Sequence, residues 1–196
     1  MTTRLLFALT AALVLAAIPA LAHEGDAAGG GFVTGFLHPI FGWDHVAAMV
    51  AVGLWGAFLG QPAIWVLPVA FPLVMALGGA LALAGVGVPA VEVGIAASAL
   101  VIGLMVALAA RPPLAVAAAI VAVFAIFHGH AHGTEMPLAA NPLAYAVGFV
   151  IATGLLHLVG IAFGLLTKAP TGAMAVRAGG ALIAVAGAWF LYGSLA

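Results

Sequence analysis

Phe36-Leu37-His38-Pro39-Ile40-Phe41-Gly42-Trp43-Asp44-His45-Val46-Ala47-Ala48-Met49 places two imidazoles and a carboxylate inside a run that otherwise reads as membrane-spanning. Ionisable side chains are costly in hydrocarbon. Where they persist they usually face a bundle interior and mark an ion, proton or substrate path. A carboxylate beside two imidazoles also suits a divalent transition metal: neutral imidazole nitrogen takes Ni, Co, Cu or Zn, and carboxylate oxygen supplies compensating charge. On one continuous helix at about 100° per residue, His38 and His45 lie within roughly 20° of one another and Met49 falls on the same stripe. Asp44 is one step round the wheel, and unwinding at Pro39 and Gly42 would turn it inward as well. The bland alternative is an Asp–His pair that only tethers helices. Three ionisable residues within eight favour function.

The surrounding composition makes lipid the main solvent. Of 196 residues, 67% are hydrophobic and 5% charged, with a mean hydropathy of +1.36, against about 45–50% apolar and roughly 25% charged in a soluble domain. A net charge of -1 excludes the basic footprint that nucleic acid requires. With no cysteine, disulfides, thiolate metal sites, haem thioether attachment and cysteine-ligated iron–sulfur clusters are excluded. Any metal is held by N, O or the thioether of Met.

Turn signals divide the chain into apolar stretches near the roughly 20 residues that span a bilayer: 33–58, 63–84, 90–110, 114–132, 142–166 and 174–195. The alternating pattern of a closed barrel is absent, so the expected fold is all-α, a polytopic membrane bundle of six transmembrane helices. Upstream, Arg4, the apolar run Leu5 to Ala17, Pro19 and Ala20-Leu21-Ala22 read as a cleavable signal peptide over 1–22, leaving 23–196 as a single transmembrane domain. With the mature N-terminus outside, Arg111, Lys168 and Arg177 all fall on the cytoplasmic side, as the positive-inside rule wants. Gly56 with Gly60, Gly129 with Gly133, and Gly160 with Gly164 form GxxxG pairs that permit close helix approach. Pro62, Pro68 and Pro72 predict a bent second span.

A second constellation is Phe127-His128-Gly129-His130-Ala131-His132-Gly133-Thr134-Glu135-Met136-Pro137. His128, His132 and Glu135 share one helical face at i, i+4 and i+7, while His130 points away. In the expected topology both constellations fall in the outer half of the membrane, where ligands from two helices can meet. His157, deep in the fifth span, reads equally as a second station or a satisfied core histidine. Glu92 reads as an end charge at a helix N-terminus. His23 would chelate metal through its amine and ring if it becomes the N-terminus, though signal cleavage alone explains its position. The Phe and Trp residues read as packing and interfacial anchors.

His38-Pro39-x-x-Gly42-x-Asp44-His45-x-x-x-Met49 resembles the signature of the HupE/UreJ family of nickel permeases, and His128-Gly129-x-Ala131-His132-Gly133-x-Glu135-x-Pro137 resembles that family's second signature. Together they are specific, and the likeness covers essentially the whole chain. It implies an inner-membrane secondary permease for nickel, or in some relatives cobalt, supplying urease, hydrogenase or cobalamin enzymes. Residue by residue it implies that His38, Asp44, His45, His132 and Glu135 are required, with His128 also on the motif and His130 at a variable position.

The leading expectation is therefore a metal-ion permease in the bacterial inner membrane, not an enzyme. It would carry Ni2+ or Co2+ as cargo with no permanently bound cofactor. Its partners would be the ion, the bilayer and, functionally, hydrogenase or urease maturation. No GxxxxGK[ST] loop is present, so ATP hydrolysis by this chain is unsupported. A membrane-bound metal-delivery protein would use the same ligands without net flux. A membrane metalloenzyme would need more histidines at the cytoplasmic face and larger loops.

Overall fold

The computed structural model describes residues 31–135 and 141–196. The expected leader (1–22), His23 and the Met136-Pro137 end of the second motif lie outside the described residues. The helices are α1 (Gly31–Phe41), α2 (Trp43–Leu59), α3 (Ala63–Leu83), α4 (Val91–Ala107), α5 (Leu114–Glu135), α6 (Pro142–Gly164) and α7 (Pro170–Leu195), with a 3-10 turn at Leu165–Lys168. No strand occurs among the described residues.

Local chemistry sets the element ends. Asn141 caps α6 by accepting from the Leu143 and Ala144 amides at 3.1 and 3.0 Å, with Pro142 pre-set at the first turn. Gly60 and Gly85 follow α2 and α3 at positive φ, 85° and 76°, the backbone region glycine enters without a Cβ penalty. The Arg111-Pro112-Pro113 run keeps α4 and α5 apart, because proline can neither continue a helix nor donate to its ladder.

The first expected span is two helices. α1 and α2 meet at an angle of 79°, with Gly42 between them in extended backbone (φ -84°, ψ 104°). A single helical wheel through His38 and His45 therefore does not exist: Pro39 and Gly42 break the ladder instead of merely loosening it. Gly42 also leaves room for the Asp44 and His45 side chains, since a Cβ there would lie 3.0 Å from His45 Nδ1 and 3.2 Å from Asp44 Oδ1.

Four helical segments are long and apolar enough to cross a membrane: α3, α5, α6 with its 3-10 turn, and α7. The bent α1–α2 pair makes five if it is one span. α4 is apolar but shorter, at 17 residues. Glycine sets how closely these helices pack. A Cβ on Gly129 would fall on the Met75 carbonyl and one on Gly78 on the Ile126 carbonyl, so α3 and α5 touch backbone to backbone. Gly53 against His157 and Gly160 against Val50 do the same for α2 and α6. Gly103 and Gly187 do so for α4 and α7. Of the three expected GxxxG pairs, Gly129/Gly133 and Gly160/Gly164 thus serve interhelical contacts, whereas Gly60 serves a turn.

The core at the crossing of α2, α3 and α5 is built on Trp55, Leu67, Phe71 and Val121, all buried. The outward faces are apolar as well, for example Leu73, Leu182 and Trp189, as expected of helices solvated by lipid. The two ends differ in charge. At one, the Arg111 guanidinium lies 4.6 Å over the Phe58 ring and Arg177 Nε donates to the Ala107 carbonyl at 2.9 Å. His38, His45, His128, His130, His132 and Glu135 gather at the other.

Candidate metal centre

The bend at Gly42 brings α1 and the N-terminal turn of α2 against the C-terminal end of α5, and the two motifs meet there. His45, His128 and His132 each offer a ligand atom within 4.8 Å of the others, and so do His38, His132 and Glu135. His132 belongs to both groups. The two triads form a gradient of exposure. Glu135 and His38, 47% and 34% exposed, meet at the rim with Oε2 and Nε2 3.3 Å apart. His132, His45 and His128 lie inward at 6%, 7% and 0%.

Hydrogen bonds decide which nitrogen each ring presents. A carboxylate only accepts, so the 2.7 Å contact between Asp44 Oδ1 and His45 Nδ1 places the ring proton on Nδ1. Nε2 of His45 is then left with its lone pair, buried and without a partner. The same Asp44 oxygen accepts the His45 amide at 2.8 Å, and the positive end of α2 favours its charge. At His128 the orienting group is Ser98. Its hydroxyl proton goes to the Ile95 carbonyl at 2.6 Å, so in the 2.9 Å contact with His128 Nε2 the ring must donate. That leaves Nδ1 of His128 as a buried, unpartnered lone pair. His132 has no partner at either nitrogen and is held by its ring against Phe149, 4.0 Å between centroids. Polar groups so buried are nearly always paired. Two lone pairs turned into a dry interior by carboxylate and hydroxyl neighbours are the pattern of imidazoles prepared for a cation.

Five of the six residues singled out from sequence as metal ligands converge: His38, His45, His128, His132 and Glu135. Asp44 is adjacent but in neither triad; its carboxylate is engaged by His45. His130 points away, as the helical wheel required, and its Nε2 meets the Val86 carbonyl at 2.9 Å. Met49 is packed in the core and ligates nothing, while Glu92 stands in the first turn of α4, outside both triads. Ser98 was not legible as a functional residue from motifs. Its available signal was composition: the chain has two serines, and Ser98 stands mid-helix in an apolar stretch. A cavity of about 220 Å3 between α3, α5 and α6 reaches His132, Tyr145 and Phe149.

Apolar helices around an imidazole–carboxylate cluster that runs from an exposed rim to a buried interior at one end define the class, a helical membrane protein with a candidate transition-metal site. The family described as HupE / UreJ protein is matched over residues 11–190. Protein HupE of Rhizobium leguminosarum bv. viciae is 41% identical over 186 residues, 94% of this chain and 97% of that relative. The chain belongs to the HupE/UreJ family. No solved structure matches it significantly.

Proposed function

We propose that this protein is a secondary permease that takes up a divalent transition metal, nickel or cobalt, across the bacterial inner membrane to supply metalloenzymes such as hydrogenase or urease. The observation that carries the reading is the pair of triads sharing His132. A hydrated cation arriving at the rim meets Glu135, whose carboxylate supplies charge, and His38. It then passes through His132 to the drier set of His45 and His128, exchanging water for imidazole nitrogen at each step. Stepwise replacement of the hydration shell by several sites of moderate strength lets an ion enter and leave.

In this reading the protein is a carrier, not an enzyme, and the metal is cargo. Six spans cross the membrane: α1–α2 as a broken first span, then α3, α4, α5, α6 and α7, with the mature N-terminus periplasmic. The 17 residues of α4 are within the roughly 17–25 that suffice for a span. This orientation puts Arg111, Lys168 and Arg177 in the cytoplasm and the rim of the site outside. The membrane potential then drives entry, since a divalent cation gains about 4.6 kcal/mol across 100 mV, twice the value per unit charge.

Uptake of labelled Ni, Co, Zn, Mn and Fe by cells lacking other transporters tests the reading. The parent accumulates Ni2+ or Co2+, and His45→Ala and Glu135→Gln each lose about tenfold or more of that flux. Imidazolium cannot ligate, so metal and proton compete, and uptake falls as external pH drops below about 6, just under the ordinary imidazole pKa. Flux in both variants equal to the parent's, or undiminished uptake at pH 5, overturns it. Metal binding without accumulation inside vesicles points instead to a delivery protein.

A further inference from the structure

Inward of the two triads the bundle buries one more imidazole. His157 on α6 is 1% exposed, and neither ring nitrogen has a hydrogen-bond partner. One turn away on the same face, Thr153 is fully buried and its hydroxyl is also unpartnered. A helical threonine ordinarily bonds its own i−4 carbonyl, and this one does not. A third polar group approaches from α3. Pro72 has no N–H to give the Pro68 carbonyl four residues back, so that carbonyl lacks its helical donor, and it lies near the His157 ring. Gly53 on α2 lets the backbone of α6 approach here, against the His157 carbonyl.

The position of this group in the bundle is informative. The fully buried Phe71 ring stands between His128 and His157, with centroids 5.3 Å from the first and 5.6 Å from the second. His157 lies eight residues along α6 from Phe149, which packs on His132, so it is about 12 Å deeper at 1.5 Å per residue. A satisfied core histidine would spend its N–H on a carbonyl or hydroxyl. An unmade hydrogen bond at a buried donor is destabilising, and here an apolar side chain would avoid that cost.

We propose that His157, Thr153 and the Pro68 carbonyl form a second station for the same divalent cation, one aromatic ring inward of the outer cluster. The proposal rests on the reading of that cluster as a cation site. The donors suit a relay: imidazole nitrogen, hydroxyl and carbonyl oxygen are all neutral, whereas the outer cluster has Asp44 and Glu135 beside it. A cation held by neutral donors is held weakly. Weak, multiple sites permit exit toward the cytoplasm.

The test is equilibrium binding of labelled Ni2+ to the full-length protein in lipid nanodiscs, beside uptake in cells. The parent binds a second equivalent that His157→Leu lacks, and His157→Leu still binds the first. Its maximal uptake falls about tenfold or more, while the half-saturating Ni2+ concentration stays within about twofold, because capture at the rim is intact. His157→Gln, which restores an oxygen donor, recovers part of the flux; a purely packing role would not distinguish Gln from Leu in this way. Thr153→Val, close in shape, weakens the second equivalent and decides the matter if His157→Leu does not fold. One His45-dependent equivalent in the parent, with His157→Leu and Thr153→Val transporting normally, overturns the second station and leaves the permease reading standing. If the parent binds neither Ni2+ nor, in the same assay, Co2+, both readings are overturned.

Discussion

Asp44 and Ser98 do comparable work from opposite sides of the cluster. Each fixes one ring by accepting a hydrogen bond from its N–H, at 2.7 Å to His45 and 2.9 Å to His128, and so leaves the other nitrogen free. Groups that orient a metal-binding imidazole are typically worth 10–100-fold in metal affinity or activity. Asp44→Asn and Ser98→Ala should therefore each lower Ni2+ affinity by about 10–100-fold, read by equilibrium dialysis of the purified protein, with the fold retained by circular dichroism. Ser98→Thr, which keeps the hydroxyl, should bind within about threefold of the parent. If Ser98→Ala bound as tightly as the parent, the tautomer of His128 would not depend on that hydroxyl. At this scale the sequence was a good guide to which side chains would gather and a poor guide to their contacts. His38, His45, His128, His132 and Glu135 stood out because charge and imidazole are rare in an apolar chain. That Asp44 acts on His45 rather than standing in a triad needed the break at Gly42 to be seen.

Helix separation at the site is controlled by glycines, above all where α5 crosses α3. A Cβ at Gly129 would overlap the Met75 carbonyl, and the obstacle is backbone, which cannot rotate away. Gly129→Ala must therefore part the two helices and displace His128 and His132, its neighbours on α5. Overpacking of this kind costs about 1–3 kcal/mol. A lower Tm in detergent and loss of Ni2+ uptake are expected together. Gly154 on α6 has nothing within 4 Å of a Cβ, so Gly154→Ala should leave Tm and uptake as in the parent. Equal Tm for the two variants would show that α3 and α5 are not held at this crossing. The elements themselves were largely readable, since each expected span coincides with a helix or helix pair. The 79° bend was not. Proline and glycine announce that a ladder is disturbed, but whether it unwinds or turns a corner depends on what α1 packs against, and Gly35 and Gly148 show that partner to be α6.

For the whole molecule the decisive property is polarity: cations at one end of the bundle, the imidazole–carboxylate cluster at the other. The chain has no cysteine, so single cysteines introduced at loops are unambiguous reporters of side. Gly87→Cys, between α3 and α4, should react with a membrane-impermeant maleimide added outside intact spheroplasts. Pro112→Cys, between α4 and α5, should react only after permeabilisation. Labelling of both from the same side would mean that α4 does not cross, and the proposed outward orientation of the site would then need revision.

Composition and hydropathy determined on their own that this chain is helical, that lipid surrounds it and which ionisable residues stand out. Those properties are local or summed along the chain, and no other segment can change them. Tertiary structure alone decided which ring nitrogens are free, which imidazole shares two triads, and that His157 lies one ring inward of the others. Those are matters of a few ångströms between groups such as Ser98 and His128, 30 residues apart, and only helix packing sets such distances.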